Sequence, residues 1–190
     1  MRLLFAILAL VALPTLAFAQ NIELSVDASE VGRKVIHVRE VIPVGGGELA
    51  LCYPKWIPGR HRPVGQIANV TEFRVKAGGK ALDWKRDDAD PFTVRVAVPD
   101  NVQQIEVTFD LLLAAGAEGG AQFMTVASPK VLTMNWNDVL VYPKLAQPLA
   151  LTIDPAVKLP AGWKYGTALP TKEAKGAQVA FNETTLETLI

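Results

Sequence analysis

Apolar and polar residues alternate with a period of two through most of this 190-residue chain, most clearly over residues 22–26, 71–77, 92–98 and 105–113. Such alternation is typical of antiparallel strands that place one face in a core and the other in water. Parallel α/β folds need helical crossovers, for which the sequence leaves no room. The 14 Gly and 13 Pro spread along the chain favour many turns over long helices. The pattern therefore predicts an all-β fold with little helix, an antiparallel β-sandwich, with a closed barrel as the alternative.

Local patterns predict several element boundaries. Gly78-Gly79 predicts a tight hairpin turn, because glycine supplies the positive φ angles that such turns need. In the strand before it, Thr71 and Phe73 are expected to share one face with Val75. Later strands are predicted over residues 131–135, 139–142, 149–153 and 178–181.

The first 19 residues carry the three-part pattern of a secretory signal peptide. Arg2 provides a positive start, residues 3–13 form an unbroken apolar run, and Ala17-Phe18-Ala19 matches an A-x-A cleavage site. The run is shorter than the ~20 residues that a membrane-spanning helix needs. We therefore predict a signal peptide over 1–19 and a mature domain over 20–190. The product is expected to be exported, periplasmic or secreted, with no membrane association after cleavage.

Charge and cysteine content narrow the class of protein. Nineteen Lys and Arg balance 19 Asp and Glu, so the chain lacks the basic surplus with which proteins bind nucleic acid. Cys52 is the only cysteine, which excludes an internal disulfide and leaves stability to the core. The length of the mature chain fits one domain.

The sequence lacks the motifs of common hydrolases. His37 and His61 are the only histidines and neither lies in HExxH, which excludes a zinc site of that type. The nucleophile motif GxSxG is absent, and the glycine run at 45–47 lacks the Lys-Ser/Thr of a phosphate-binding loop. Cys52 is interpreted as a small core residue and His37 as a structural or surface residue. No catalytic residue, metal ligand or cofactor is therefore predicted in this chain.

One loop combines an aromatic residue with three basic ones on either side of the turn dipeptide Pro58-Gly59. Arginine and protonated histidine bind carboxylates through charge-assisted hydrogen bonds. The candidate binding residues are therefore Trp56, Arg60, His61 and Arg62. The alternative is a solvated basic loop, or a loop that docks on a neighbouring domain.

The carboxyl-terminal residues resemble the beginning of an amphipathic helix. Asn182-Glu183-Thr184 matches a helix start, and Leu186, Leu189 and Ile190 follow at helical spacing. An apolar stripe needs a partner surface. Either this turn packs on the same domain or more polypeptide follows, and we favour the second.

Three groups of segments carry a family resemblance. They are YPKWIPG at 53–59 with IANV at 67–70; GKAL at 79–82 with WKRD at 84–87 and DPF at 90–92; and NWNDVLVYP at 135–143 with LPAGWKYGTAL at 159–169. In this order they resemble the N-terminal domain of the peptidase M61 (glycyl aminopeptidase) family, over about residues 22–190. Many members place an aromatic residue close behind the glycine of the W-x-P-G turn, where this sequence has Arg60-His61-Arg62.

The resemblance implies a β-sandwich packed against a separate thermolysin-like catalytic domain, which carries HExxH and a downstream Glu. Zinc is then expected only in that domain, and no catalytic or metal-binding residue transfers to this chain. The resemblance thus implies a non-catalytic accessory domain of an exported M61-like zinc aminopeptidase. It would support the catalytic domain and wall its substrate cleft, with that domain and a peptide substrate as partners.

Two other functions stay open at this stage. The first is a stand-alone periplasmic module that binds peptides through the basic loop, or carbohydrate through exposed aromatics such as Trp84, Trp136 or Trp163. The second is a complete small hydrolase with an unrecognised site, which two histidines and no paired nucleophile make the weakest hypothesis.

Overall fold

The computed structural model describes residues 21–114, 124–145 and 147–190. The signal peptide assigned to 1–19 lies outside these ranges and stays a prediction. Within them, no helix is long and apolar enough to cross a bilayer. Strands dominate the described residues, as the alternating pattern predicts.

Most of the strands are short. In chain order they are β1 (Ile22–Asp27), β2 (Val35–Pro43), β3 (Gly47–Cys52), β4 (Val70–Ala77), β5 (Lys80–Leu82), β6 (Trp84–Arg86), β7 (Thr93–Val98), β8 (Gln104–Leu112), β9 (Val126–Ala127), β10 (Leu132–Thr133), β11 (Tyr142–Pro143), β12 (Thr152–Lys158), β13 (Thr171–Lys175), β14 (Gln178–Phe181) and β15 (Thr184–Thr185). Helical structure in the described residues is limited to α1 (Leu186–Leu189) and the 3₁₀ turns Val31–Arg33, Ile67–Asn69, Trp136–Asp138 and Pro148–Ala150.

Nine strands form the larger sheet, in the order β13-β14-β12-β1-β2-β8-β4-β5, with β15 beside β12. Its centre is the antiparallel pair of β2 and β8, in register from Val35↔Leu112 to Pro43↔Gln104. One pair departs from the predicted antiparallel pattern, since β1 and β12 run parallel. This pair needs no helical crossover, because the chain between the two strands builds most of the domain.

A second sheet of four strands, in the order β11-β3-β7-β6, completes the sandwich, and β9 and β10 form a separate pair. Leu24, Ile36 and Phe109 from the larger sheet share one apolar core with Leu51 and Val96 from the second sheet. All five side chains are almost fully buried. Two sheets that enclose one core are a β-sandwich, so the predicted fold class is confirmed.

The hairpin between β4 and β5 is confirmed, with Gly78 and Gly79 at positive φ angles of 52° and 81°. The predicted facing of Thr71 is wrong. Glu72 also has a positive φ, and the pairing of β4 with β8 shifts between Thr71 and Arg74. This β-bulge places Thr71 on the same face as Arg74, and bulges leave no trace in simple alternation.

Residues 131–153 are less regular than the sequence predicts. Only Leu132–Thr133 and Tyr142–Pro143 pair as strands, and the predicted strand at 149–153 begins at Thr152, after a 3₁₀ turn. The segment between β10 and β11 instead forms the 3₁₀ turn Trp136–Asp138. Asn and Asp side chains bind nearby backbone and polar groups in competition with strand pairing, which accounts for the difference.

The helix at the carboxyl end begins later than predicted. Thr184 and Thr185 pair with β12, and the Thr185 hydroxyl caps α1 by accepting a hydrogen bond from the Thr188 N–H. Leu186 and Leu189 are buried. Leu186 and Leu189 therefore pack on this domain, and Ile190 is only partly buried. That more polypeptide follows stays a prediction.

Candidate functional site

Residues 54–66, here named the Trp56 loop, connect the second sheet to the 3₁₀ turn before β4. The two arms of the loop are joined by a 2.9 Å hydrogen bond from the Val64 N–H to the Lys55 carbonyl. Gly65 lies directly against Pro54, since a Cβ on Gly65 would be 2.1 Å from the Pro54 carbonyl oxygen. Glycine alone permits so close a backbone approach, so the base of the loop is tightly packed.

Tyr53 anchors the start of the loop from inside the domain. Its N–H donates to the Phe92 carbonyl at 2.8 Å, and its hydroxyl donates to the Asp138 carbonyl at 2.7 Å. Burial raises the pKa of the Tyr53 hydroxyl well above its ordinary value, and the Asp138 charge acts in the same direction. The hydroxyl therefore stays protonated and keeps donating.

The Asp138 carboxylate holds the end of the loop. Asp138 is fully buried, and its Oδ2 accepts hydrogen bonds from the Gln66 amide at 2.8 Å and from the Thr125 N–H and hydroxyl at 2.8 and 2.9 Å. Burial raises the pKa of Asp138, while the hydrogen bonds from Thr125 and Gln66 oppose the shift. The bond from Gln66 ties the end of the Trp56 loop to the 3₁₀ turn that carries Asp138, and the bonds from Thr125 hold that turn to residue 125.

Glu40 is a second buried carboxyl group, on β2 between the buried residues Val38 and Ile42. Its Oε1 accepts a 2.7 Å hydrogen bond from the Val141 N–H. Burial raises the pKa of Glu40 well above its ordinary value, and the bond from Val141 opposes the shift only in part. Glu40 thereby fastens the segment that follows Asp138 to the larger sheet.

The four predicted binding residues all belong to the Trp56 loop, with Trp56 beside its base and the three basic residues after its turn. The predicted turn at Pro58-Gly59 is present, with Gly59 at a φ of 80° and the Arg60 N–H donating to the Ile57 carbonyl at 3.0 Å. All four predicted binding residues are exposed, the indole to 56%: Trp56, Arg60, His61 and Arg62. Carboxylate binding by these residues stays a prediction.

An apolar groove of about 220 Å³, here named the terminal groove, lies beside the loop. Its walls include Cys52, Trp56, Phe92, Tyr142, Leu149 and Ile190. Leu149 is 48% exposed, so the groove and the Trp56 indole form an apolar surface open to solvent. Lys55 borders the groove, where its ammonium lies 2.8 Å from Asp90 and 5.9 Å from the centre of the Phe92 ring.

The structure also places the two other residues that the sequence analysis interpreted, Cys52 and His37. Cys52, interpreted from sequence as a core residue, is only partly buried and lines the terminal groove. His37 lies on the outer face of the larger sheet, with Nδ1 2.7 Å from Asp110, as the structural or surface interpretation predicts.

In the described part of the chain, no group of three or more His, Cys, Asp or Glu residues could hold a metal ion. The Trp56 loop and groove offer shape, apolar area and positive charge, which suit contact with a protein or peptide.

Sequence reasoning missed the two buried carboxyl groups that hold this surface. Glu40 had a signal, because it occupies an inward position in the alternation of Ile36, Val38 and Ile42. Asp138 had none, since an Asp in an irregular segment looks like any solvated turn residue.

The chain matches the family model described as the Peptidase M61 N-terminal domain over residues 23–190. No curated protein matches it significantly. Among solved structures, an aminopeptidase N family protein from Idiomarina loihiensis aligns with a TM-score of 0.75 and 15% identity, over 89% of this chain and 28% of that one. That likeness shows the fold.

Two further solved structures are more distant. An M1 zinc metallopeptidase from Deinococcus radiodurans aligns with a TM-score of 0.42 and 13% identity, over 87% of this chain and 38% of that one. A yeast LTA4 hydrolase in complex with bestatin aligns with a TM-score of 0.45 and 11% identity, over 85% and 25%. The chain thus spans well under half the length of each of these proteins. The family match at 23–190 extends across both sheets and α1, and the chain belongs to the peptidase M61 N-terminal domain family.

Proposed function

We propose that this chain is the non-catalytic N-terminal accessory domain of an exported M61-like zinc aminopeptidase. It supports the catalytic domain and walls the substrate cleft of that domain. The observation that carries the proposal is the family match over residues 23–190. The fold agrees, since the same sandwich occurs in the I. loihiensis aminopeptidase N family protein, of which this chain spans 28%.

The catalytic domain is assigned to the face that contains the Trp56 loop and the terminal groove. Trp56 and Leu149 are 56% and 48% exposed, and Ile190 lines the same groove. A contiguous exposed apolar surface commonly marks a protein contact, and Trp and Arg often dominate the binding energy there. Asp138 and Gly65 fix the base of the loop, so the loop loses little conformational entropy on contact.

The exposed basic residues Arg60, His61 and Arg62 belong to the same loop. Carboxylates of a peptide substrate are their natural partners, because Arg and protonated His donate charge-assisted hydrogen bonds. Zinc belongs to the catalytic domain in this proposal, and this chain contributes no ligand to it. Export rests on the signal pattern over 1–19, and N-terminal sequencing of the product from a periplasmic fraction should begin at Gln20.

The test compares the purified chain with a mixture of the chain and a separately produced M61 catalytic domain. Alone, the chain should bind no stoichiometric zinc by atomic absorption and should not hydrolyse Gly or Ala p-nitroanilide. In the mixture, we expect a complex in gel filtration and faster turnover than the catalytic domain shows alone. Chelator-sensitive turnover by the chain alone would refute the non-catalytic role.

Two tryptophan variants test the assigned face. Trp56→Ala should weaken the complex, because it removes the largest exposed apolar side chain of the loop. Trp84→Ala is the matched control, since Trp84 is 37% exposed on β6 and lines neither the loop nor the groove. Equal affinities of the two variants for the catalytic domain would rule out this face.

A further inference from the structure

A second concave site lies between β10 and residues 163–167 and shares no lining residue with the terminal groove. We name it the aromatic pocket. It encloses about 190 Å³, and its walls include Trp136, Trp163, Lys164, Tyr165, Thr167 and Phe181. Neither the family match nor the proposed contact with a catalytic domain gives this pocket a role.

The rings of the aromatic pocket are arranged as walls on a floor. Phe181 is 4% exposed and forms the floor. Trp136 stands on it at 86° with ring centres 5.6 Å apart, and Tyr165 stands on it at 85° with ring centres 6.5 Å apart. A turn positions Trp163, whose backbone N–H donates to the Pro160 carbonyl at 3.1 Å.

The polar groups of the aromatic pocket are open to a ligand. Among the described residues, no group accepts a hydrogen bond from the indole N–H of Trp136 or Trp163, and no buried side-chain polar atom lacks a partner. Both N–H groups are therefore at least partly accessible to solvent. Trp84 differs, because its indole N–H donates to the Phe73 carbonyl at 3.2 Å. Lys164 adds an exposed ammonium at the mouth of the pocket.

We propose that the aromatic pocket binds one pyranose ring of a gluco-configured sugar. Equatorial hydroxyls leave such a ring with a flat C–H face, which packs against the electron-rich face of an aromatic ring. The ring hydroxyls accept hydrogen bonds from the two indole N–H groups and from Lys164. The pocket volume of about 190 Å³ lies below the ~300–1,000 Å³ of sites for drug-sized ligands, which limits the occupant to about one ring.

An apolar peptide side chain fits the aromatic pocket less well. It would contact the rings but would cover two indole donors without offering an acceptor, and unpaired donors oppose binding. The sugar satisfies both the apolar and the polar part of the site, as small-molecule sites generally require. The inference is independent of the proposed accessory function, because the aromatic pocket and the terminal groove share no residue and a sugar can bind in one whatever contacts the other.

The test is a titration of the purified chain with cellotetraose and with triacetylchitotriose, followed by tryptophan fluorescence and by NMR chemical shifts. One of the two sugars should bind with a dissociation constant of about 1 mM or tighter. Trp163→Ala and Tyr165→Ala should each weaken binding about tenfold or more, and Trp163→Phe should lose less because it keeps a ring. Trp84→Ala should bind as the unchanged chain does.

Three outcomes would overturn the inference. The first is no response to either sugar up to about 20 mM. The second is unchanged sugar binding by Tyr165→Ala, a variant of a 43% exposed residue that should fold normally. The third is that a Leu-Leu-Leu peptide binds more tightly than both sugars and that the same variants weaken this binding. That result would indicate a site for apolar peptide side chains.

Discussion

Glu40→Gln isolates the electrostatic cost of one buried carboxyl group. The variant keeps the shape of the side chain and the oxygen that accepts the 2.7 Å hydrogen bond from the Val141 N–H, but it cannot ionise. Burial raises the pKa of Glu40 well above its ordinary value of 4.5. At neutral pH and above, the folded chain must therefore either hold a proton there or bury a charge, and we expect the variant to be the more stable protein.

The size of the effect follows from proton linkage. A carboxyl group with a higher pKa in the folded than in the unfolded chain stabilises the fold below the unfolded pKa. That contribution is lost as pH rises through the folded pKa. Within this window the folded chain binds one extra proton, so the free energy of unfolding falls by about 1.4 kcal/mol per pH unit. The advantage of Glu40→Gln over the unchanged protein should grow at that rate above the ordinary pKa of 4.5.

The assay is urea unfolding of both proteins, followed by tryptophan fluorescence from about pH 5 to pH 8. The difference between the two profiles removes the contribution of other titrating groups, including Asp138, whose pKa is also raised. Glu23→Gln is the matched control, because it makes the same chemical change at an exposed position of β1. Parallel profiles for the unchanged protein and Glu40→Gln would refute the reasoning.

Three further substitutions test the loop base and the surface turns. Gly65→Ala should destabilise the fold by about 1–3 kcal/mol in thermal denaturation, because its Cβ would lie 2.1 Å from a carbonyl oxygen; Gly45→Ala, with no atom within 4 Å, should not. Asp138→Ala should cost about 2–5 kcal/mol in urea unfolding, because four buried donors lose their acceptor; a negligible loss would contradict its anchoring role. Asp87 has a pKa lowered to about 2, chiefly by the Ala89 N–H and then by an arginine. The ionised Asp87 contributes fully to the free energy of unfolding above its ordinary pKa, and this contribution is lost as pH falls through the pKa in the folded chain. Asp87→Asn should therefore lower the melting temperature at neutral pH and have a much smaller effect near pH 2; an equal effect at both pH values would count against this.

Alternation predicts sheet faces well where strands are long and regular. In β8, the buried residues Ile105, Val107, Phe109 and Leu111 fall on the predicted inward positions. Alternation is the same whether a neighbouring strand runs parallel or antiparallel, so the parallel pairing of β1 with β12 could not be predicted. Alternation also does not reveal an inserted residue. The bulge at Glu72 therefore places Thr71 on the face opposite to the one predicted.

The loop and its supports differ in predictability for a similar reason. Trp56, Arg60 and Arg62 are close in sequence around a turn dipeptide, so their place in one exposed loop could be predicted locally. The orientation of the loop depends on a residue far away in the sequence, because Gln66 donates a hydrogen bond to Asp138, 72 positions later. Contacts between remote segments depend on the assembled sandwich, and a single sequence offers no local signal for them.

The parallel pairing of β1 with β12 also determines when the domain can assemble. β1 lies between β2 and β12 in the larger sheet, and Ile22 pairs with Ile153. During synthesis, one edge of β1 therefore has no native neighbour until most of the sequence has emerged. Pairings over such sequence separations fold slowly and leave strand edges exposed to aggregation. A chaperone that shields extended segments during that interval should raise the folded yield.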